Sequence, residues 1–340
     1  MEKLFKNKNI LITGGTGSLG VEIVKELVNY KPNVIRIFSR DETKQFELQN
    51  MFRKQKNIRY LLGDIRDKDR LAFAVKDIDI ILHVAALKHV PACEYNPFEA
   101  VKTNVVGTAN IIEAAINAGV SRVIFTSTDK ATNPCNTMGV SKLLAERLIT
   151  AGHYYSGEHK TIMSTVRFGN VLGSRGSVIP LWKKQILDGG PVTLTDPDMT
   201  RFVMSIKESI KLMFESLKIA KGGEVFILKM PVVRIEDLAE VMIKEIGSKA
   251  GYKEQDIKIE KIGTKPGEKM YEELITGEEM GRALDLGSMF ALLPHVEAFW
   301  DRELKYKNAK SVTQEVYASN KEKPLTQEEI KDLLKTAELL

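Results

Sequence analysis

The chain runs from a short apolar segment into a glycine-rich turn at Asn9-Ile10-Leu11-Ile12-Thr13-Gly14-Gly15-Thr16-Gly17-Ser18-Leu19-Gly20. Residues 9–12 predict a buried strand, and the spacing of apolar residues over 21–30 predicts a helix. In such a strand–turn–helix context the first glycine permits a tight turn, the second lets a pyrophosphate approach the backbone, and the third packs helix against strand. A merely flexible turn is the alternative. The stretch predicts a dinucleotide site whose cofactor-binding residues are Gly14, Thr16, Gly17, Ser18, Leu19 and Gly20.

Further apolar runs alternate with segments of helical spacing. Strands are predicted at residues 34–38, 57–62, 78–84, 123–125, 160–166, 192–194, 225–228 and 257–262. Helices are predicted to begin at 104 and at 177, and to span 206–220 and 235–246. Alternation of this kind predicts an α/β fold with a doubly wound parallel sheet of the Rossmann type.

Composition and charge narrow the class of protein. Of 340 residues, 50 are basic and 45 acidic, which gives a formal net charge of +5. The basic residues are dispersed, and an anionic small molecule explains the charge as well as nucleic acid would. Because no basic tract of the kind that binds phosphate backbones is present, no nucleic-acid partner is expected. The two cysteines indicate a reduced compartment, and no apolar run is long enough to span a membrane. With no signal peptide before the first strand, we expect a cytoplasmic protein. The five histidines are scattered and show no metal-ligand spacing, so no metal is expected.

The second predicted strand ends in residues that choose between two nicotinamide cofactors. Ser39 and Arg40 stand at its tip, and Lys44 follows one turn later. An acid at this position would hold the 2′-hydroxyl of NAD, whereas Ser and Arg favour the 2′-phosphate of NADP. Asp41 is close enough to keep NAD open. NADP is therefore predicted, and a solvated face is the alternative for Arg40 and Lys44.

The ends of the third and fourth strands supply more cofactor contacts. Asp64 and Ile65 follow the third strand, where a carboxylate can meet the adenine amino group or cap the next helix. Ala85 and Ala86 follow the fourth, and their small side chains let a ribose pass close.

Three polar residues come next along the chain. Lys88 and His89 stand where the nicotinamide end of the cofactor and the substrate are reached, although His89 can equally be a loop histidine satisfied locally. Asn104 opens the next long helix as a site residue or as a stabiliser of a helix kink.

A proton-handling set follows the strand at 123–125. Thr128, Asp129 and Lys130 offer a hydroxyl, a carboxyl and an amine in succession, with Lys142 one turn into the following helix. Because side chains past the C-terminal ends of parallel strands face the ligand crevice, we expect them in an active site. A polar strand-to-helix turn is the alternative.

The order of these motifs resembles the extended short-chain dehydrogenase/reductase family. The resemblance rests on GGTGSLG, DIRD, HVAALKH and STDK, followed by the lysine-bearing helix. The variants AALKHVPACEYNP, STDKATNP, RFGNVLGSRGSVIPLW, MTRF and GTKPGEKMYEEL are similar to the soluble UDP-N-acetylglucosamine 4,6-dehydratase branch, which serves polysaccharide and nonulosonic-acid (pseudaminic-type) biosynthesis. The resemblance reaches to about residue 290 and implies homo-oligomers, either dimers or larger rings.

The resemblance also implies roles in an internal oxidation and reduction of the sugar. Lys130 is the base at carbon 5, Asp129 the acid for the hydroxyl leaving carbon 6, and Thr128 the hydrogen-bond partner of the oxygen on carbon 4. Lys142 binds the nicotinamide ribose. The wider family pattern is Tyr-x-x-x-Lys, but position 138 is Met, which cannot accept a proton at neutral pH. Either Asp129, Lys142 through water, or the substrate itself replaces the tyrosine, or the first oxidation does not occur.

The second half of the chain is predicted to bind the UDP-sugar. The predicted substrate-binding residues there are Asn170, Ser177, Val178, Thr195, Arg201, Lys265 and Glu268, and Asn170, Arg201 and the loop with Lys265 and Glu268 are so predicted by resemblance. Lys88 and His89 of the first half are predicted to join them because of their position after the fourth strand. A structural salt bridge is the alternative for Arg201. The run 167–177, with its glycines and arginine, suits a loop around a nucleotide diphosphate or a crossover between domains.

The expected domains are an NADP-binding domain at 1–170 and about 203–230, and a smaller discontinuous α/β domain at about 171–202 and 231–300. Residues 301–340 form a C-terminal extension with a short helix opened by a capping box at 326–329. A combined dehydratase and 5-epimerase, a nucleotide-sugar reductase or epimerase, and an inactive NADP-sensing protein are the other functions to consider.

Overall fold

This computed structural model describes residues 1–157, 161–264, 267–296 and 306–340. The strands are β1 (Asn9–Thr13), β2 (Val34–Ser39), β3 (Ile58–Leu62), β4 (Ile80–His83), β5 (Arg122–Thr128), β6 (Ile162–Phe168), β7 (Asn170–Val171), β8 (Val192–Leu194), β9 (Thr200–Met204), β10 (Val225–Leu228), β11 (Val232–Arg234), β12 (Ile259–Lys261), β13 (Glu273–Ile275), β14 (Ala283–Asp285), β15 (Met289–Leu292), β16 (Lys310–Ser311) and β17 (Tyr317–Ala318). The helices are α1 (Glu2–Phe5), α2 (Ser18–Leu27), α3 (Glu42–Met51), α4 (Lys68–Ala74), α5 (Val90–Tyr95), α6 (Pro97–Ala100), α7 (Gly107–Asn117), α8 (Thr137–Tyr154), α9 (Val178–Leu187), α10 (Ile206–Ile219), α11 (Ile235–Met242), α12 (Gly277–Met280) and α13 (Gln327–Thr336).

The largest sheet has the order predicted for a doubly wound fold. Parallel strands run β3-β2-β1-β4-β5-β6-β10, and β15, β14 and β16 add to the β10 edge in antiparallel fashion. The order reverses between β1 and β4, and ligands of such sheets bind outside the carboxyl ends of the strands at that point. The Rossmann-type α/β fold expected from the sequence is confirmed.

Apolar strand residues bury one face of this sheet beneath helices. Leu11, Ile81, Val123 and Phe125 lie in one buried cluster together with Ala145 and Ile149 of α8. Each strand therefore ends in a rigid, buried frame, and the polar residues that follow it are held in place by that frame.

Several element bounds differ from those expected. β5 continues to Thr128 and β6 to Phe168, so Ser127 and Arg167 are paired neighbours in the sheet and do not lie in loops. The helix expected at 21–30 begins at Ser18, because Gly17 already has the extended backbone of an N-cap. Residue 160, where the sixth strand was expected to start, lies outside the described residues.

The chain divides into two units, each discontinuous in sequence. The first comprises Met1–Phe168, Ile210–Leu228 and Glu278–Thr313; the second comprises Gly169–Ser209, Lys229–Gly277 and Gln314–Leu340. The boundaries differ from the predicted ones mainly in the last third of the chain. Residues 278–313 join the first unit because β14, β15 and β16 extend its sheet.

The second unit has small sheets of its own. Within the described residues these have the orders β11-β9-β7, β12-β8 and β13-β17. Ile330 and Leu334 of α13 are buried in the apolar cluster of this unit, and Thr326 and Glu329 form the expected capping box at the start of the helix. The polar region at 308–323 is largely irregular, apart from β16 and β17.

Candidate functional site

The glycine turn presents the N-terminus of α2 at the carboxyl edge of the sheet. Gly14 has φ +69°, and a Cβ there would lie 2.8 Å from both Cα and N of Ala85. Only glycine permits this approach of the turn to the end of β4. Gly17 is the N-cap of α2, so the positive end of the helix dipole lies at this edge, where it favours an anion.

A buried hydrogen-bond chain ties this turn to neighbouring elements. Thr13 Oγ1 lies 2.7 Å from His83 Nδ1 and accepts the N–H groups of Val84 (3.2 Å) and Ala85 (3.3 Å). His83 Nε2 lies 3.1 Å from Thr108 Oγ1, which donates to the carbonyl of Asn104 (2.6 Å). Thr108 therefore accepts from Nε2–H, and Nδ1 accepts from Thr13. Burial, with a smaller effect of the Lys142 charge, lowers the pKa of His83 to about 3 and keeps the ring neutral.

Asp41, the acidic residue just after β2, already has hydrogen-bond partners within α3. Asp41 caps α3 by accepting the backbone N–H of Lys44 at 3.0 Å, and it also pairs with the Lys44 ammonium. The side chain of Arg40 is 58% exposed and lies 3.5 Å from Asp64 Oδ2. Ser39 is fixed through its carbonyl by Gln45 Nε2 at 3.0 Å. An exposed guanidinium and an engaged carboxylate thus stand side by side at this edge.

Asp64 does not cap the next helix. Asp67 caps α4 by accepting the N–H of Arg70 at 2.9 Å, so the capping alternative for Asp64 is wrong. Asp64 instead receives the Arg66 guanidinium at 2.7 Å. Ile65 is buried in the core cluster beside it.

The end of β5 brings the proton-handling residues together. Thr128 Oγ1 donates to Asp129 Oδ1 at 2.6 Å, and the backbone N–H of Lys130 donates to the same oxygen at 2.9 Å. Lys130 Nζ lies 3.1 Å from Oδ1 and 3.3 Å from Oδ2 of Asp129. The Asp129 side chain is 1% exposed and that of Lys130 31%. A buried carboxylate is therefore covered by an amine that solvent or a ligand can reach.

Helix α8 packs directly on this segment. Asn136 caps the helix by accepting the N–H of Gly139 at 2.8 Å. A Cβ at Gly139 would lie 2.1 Å from the carbonyl oxygen of Lys130. Glycine at 139 thus allows the helix that carries Met138 and Lys142 to touch the Asp129–Lys130 turn.

Lys142 is buried, and few polar groups contact its ammonium. Its Nζ donates to the carbonyl of Thr126 at 2.7 Å and lies 4.3 Å from the centroid of the Phe125 ring. Burial lowers its pKa to about 7, although the charges of Glu146 and Cys93 oppose that effect. Met138 packs in an apolar cluster with Cys93 and Ala100, so a thioether occupies the place of the family tyrosine.

Asn104 lies inside a π-helical turn, Val101–Val106, and braces the segment after β4. Its Oδ1 accepts the N–H of Leu87 at 2.8 Å, and its Nδ2 donates to the Leu87 carbonyl at 3.0 Å and to Ser141 Oγ at 2.9 Å. These bonds favour the role of kink stabiliser. Just beyond, Lys88 and His89 are exposed, with His89 at the N-cap position of α5. Cofactor or substrate contacts by these three residues stay predictions.

Predicted substrate residues of the second unit make bonds of their own. Asn170 Nδ2 donates to Glu272 Oε2 at 2.6 Å and to the carbonyl of Phe202 at 3.1 Å. Arg201 Nε lies 3.4 Å from Glu272 Oε1, and its other nitrogens donate to the carbonyls of Thr200, Lys269 and Met270. This is the salt bridge considered as the alternative for Arg201, and pyrophosphate binding there stays a prediction.

The remaining predicted substrate residues fall at element ends. Ser177 and Val178 stand at the start of α9, and Thr195 follows β8. Glu268 is exposed, and Lys265 lies outside the described residues.

A buried ion cluster was not predicted. Arg167 holds Glu146 through Nη2–Oε2 (2.7 Å) and Nε–Oε1 (3.1 Å), and holds Glu279 through Nη1–Oε2 (2.9 Å) and Nη2–Oε1 (3.0 Å). All three belong to the first unit. Glu146 lies one helical turn after Lys142, but this spacing does not predict its pairing with Arg167.

Comparison with known proteins agrees with this arrangement. The family described as polysaccharide biosynthesis proteins matches residues 10–294. A UDP-N-acetylglucosamine 4,6-dehydratase (inverting) of Campylobacter jejuni is 42% identical over 296 residues, covering 86% of this chain and 85% of the relative. A UDP-glucose 4-epimerase of Rickettsia akari is 39% identical over 349 residues, covering 99% and 98%.

Two further similarities cover nearly the whole chain. An uncharacterized membrane protein of Methanocaldococcus jannaschii is 53% identical over 336 residues, covering 98% of this chain and 97% of that protein. The X-ray structure of Pen from Bacillus thuringiensis superposes with a TM-score of 0.91 at 50% identity, covering 99% of both chains. Among the described residues, none of the helices combines the length and apolar character needed to cross a membrane.

Motif order, strand order and these similarities agree. The chain belongs to the polysaccharide biosynthesis protein family, a nucleotide-sugar dehydratase and epimerase family within the extended short-chain dehydrogenase/reductases.

Proposed function

We propose that the protein is a UDP-N-acetylglucosamine 4,6-dehydratase that uses NADP and yields a 4-keto-6-deoxy sugar nucleotide. The observation that carries this proposal is the contact between Asp129 and Lys130, with Nζ 3.1 Å from Oδ1. Loss of water needs a base that removes the proton from carbon 5 and, beside it, an acid that protonates the hydroxyl leaving carbon 6. Epimerisation at carbon 4 changes neither carbon 5 nor carbon 6 and needs no such pair. The similarity to the Campylobacter jejuni dehydratase points the same way.

The residues present fit a nicotinamide dinucleotide. The Gly14 turn, the capped start of α2 and the buried ammonium of Lys142 form a cradle for phosphates and ribose. The bound nicotinamide would accept hydride from carbon 4 of the sugar and return it to carbon 6. For the 2′ position, the exposed Arg40 beside an Asp41 engaged as a helix cap supports NADP over NAD.

The Asp129–Lys130 pair can serve both halves of the elimination. The resting ion pair becomes reactive when Lys130 has released its proton to solvent and Asp129 has taken up, through Thr128, the proton that leaves the carbon-4 hydroxyl. Lys130 then takes the proton from carbon 5, acidified by the ketone at carbon 4, while Asp129 protonates the hydroxyl leaving carbon 6. Lys130 afterwards returns a proton to carbon 5, and the sugar has lost one water.

Thr128 offers a route for the proton of the carbon-4 hydroxyl, which Met138 cannot accept. Its hydroxyl already donates to Asp129 Oδ1 at 2.6 Å. We infer that Thr128 accepts the proton of the sugar hydroxyl as it passes its own to Asp129. Of the three replacements for tyrosine considered above, this geometry favours Asp129.

A UDP-sugar 4-epimerase is the second candidate, because the Rickettsia akari relative carries that name over nearly the whole chain. Mass spectrometry of the product from UDP-N-acetylglucosamine distinguishes the two. The dehydratase proposal predicts a product lighter by one water, and an epimer of unchanged mass would reject it. The same experiment with UDP-glucose tests the sugar preference, and no turnover of either would favour an NADP-sensing role.

We also propose a homo-oligomer. Val101 beside α6, and Val140 and Leu144 of α8, are apolar side chains exposed on the first unit, as are Tyr95 and Phe98. Exposed apolar groups clustered on neighbouring helices are typical of protein interfaces. Light scattering after size exclusion would show a dimer or larger assembly, and a monomer at micromolar concentration would contradict this.

A further inference from the structure

Lys142 carries its charge in a setting that disfavours it. The side chain is buried, and its Nζ makes one hydrogen bond, to the Thr126 carbonyl, and one contact with the Phe125 ring. It makes no ion pair with any residue that the structure describes. Burial lowers its pKa to about 7 even with the opposing charges of Glu146 and Cys93, so near neutral pH only part of the population is charged.

Glu146 lies one turn further along the same helix and is buried as well. Residues four apart on a helix are neighbours on one face. Arg167 fixes the Glu146 carboxylate with two hydrogen bonds, at 2.7 and 3.1 Å, so its negative charge has a defined position one helical turn from Lys142.

The other carboxylate of the cluster is differently placed. Glu279 accepts from Arg167 at 2.9 Å and also lies 3.4 Å from Arg282. Two guanidinium groups therefore compensate Glu279, whereas Glu146 has Arg167 alone among the described ion pairs. The charge of Glu146 raises the pKa of Lys142, and Glu279 is not among the groups that act on it.

We propose that Glu146, held by Arg167, is a positioning residue that keeps Lys142 in its ammonium form when the nicotinamide cofactor binds. The inference rests on the proposed cofactor site but needs no sugar chemistry. Other ionisable groups facing Lys142 are Cys93 of α5 and His83 of β4, and Asp129 and Lys130 lie on the turn against which α8 packs. His83 stays neutral above about pH 3, so it does not produce a transition near neutrality.

The test is a fluorescence titration of NADPH binding across pH 5.5 to 9, without sugar. In the wild type, affinity is expected to fall as Lys142 loses its proton, and Lys142→Met should remove that step. Glu146→Gln should move the midpoint of the step to lower pH by roughly one unit, because it removes the charge that stabilises the ammonium. Glu146→Asp should restore most of the shift. If NADPH does not bind, NADH is the probe, since the nicotinamide ribose is the same.

Glu279→Gln is the matched control. It also takes one carboxylate from Arg167, so any loss of fold should be similar, but the midpoint should stay near that of the wild type. An unmoved midpoint in Glu146→Gln, an equal shift in both variants, or a step that survives in Lys142→Met would each overturn the inference. Because no sugar is present, failure here is independent of whether the enzyme removes water.

Discussion

Thr128 Oγ1 donates to Asp129 Oδ1 at 2.6 Å, and that same oxygen lies 3.1 Å from Lys130 Nζ. Three consecutive residues thus form one hydrogen-bonded unit at the end of β5. A hydroxyl, a carboxylate and an amine joined in this way can pass a proton in either direction. The proposed reaction depends on this continuity.

Replacing Lys130 tests the base. Lys130→Met should lower kcat by about 10³-fold or more, because general base catalysis contributes on the order of 10² to 10⁴. Cofactor binding, followed by NADPH fluorescence, should persist because the glycine turn is untouched. Lys130→Arg is the matched control: it keeps the charge beside Asp129 but cannot deprotonate, so it too should be inactive. An active arginine variant would mean that Lys130 supplies only charge.

Replacing Thr128 tests the route of the first proton. Thr128→Val keeps the shape of the side chain and removes the hydroxyl, so kcat should fall by about 10²-fold with little change in KM. Thr128→Ser should recover most of the rate. Wild-type turnover in the valine variant would show that the carbon-4 proton leaves by another path.

Replacing Arg40 tests the cofactor preference. Its exposed guanidinium is suited to a 2′-phosphate. Arg40→Ala should therefore weaken NADPH binding by about tenfold or more while leaving NADH binding nearly unchanged. Titrations with both cofactors would measure this, and equal losses would mean that Arg40 does not contact the 2′ position.

The lowered pKa of buried His83 predicts how the free energy of unfolding changes in acid. Its pKa is about 3 in the folded protein and near the ordinary value of 6.5 when unfolded, so unfolding takes up a proton as pH falls below 6.5. Folded-state stability is therefore lost on acidification. His83→Gln should be less sensitive by about 1.5 kcal/mol between pH 6.5 and 5. Urea unfolding at both pH values measures the difference, and identical losses would contradict neutral burial.

Much of the first unit could be predicted from local pattern. Residues 34–38, which are apolar apart from Arg36, and the apolar run 225–228 have the length of strands, and both are strands with nearly the expected bounds. The glycine spacing around Gly14 predicted the position of the turn correctly, because the close approach of two backbones there requires glycine.

The rest depends on contacts between distant residues. Arg167 meets Glu146 and Glu279 only after the sheet and α8 have formed, and no local period predicts that meeting. The short strands β14 and β16 could not be predicted either, because segments of three and two residues are too short to show a hydrophobic period. The capping alternative for Asp64 is wrong because Asp67, three residues later, is an equally good cap and directly precedes the helix.

The most direct test of the central claim is proton NMR of the enzyme with UDP-N-acetylglucosamine and catalytic NADP in deuterated water. The account predicts a 4-keto-6-deoxy product with deuterium at carbon 5, delivered through Lys130, and no net NADPH. The proton–proton couplings in the sugar ring would also show whether the configuration at carbon 5 is retained or inverted. An unchanged sugar, an epimer at carbon 4, or a dehydrated product without deuterium at carbon 5 would contradict it.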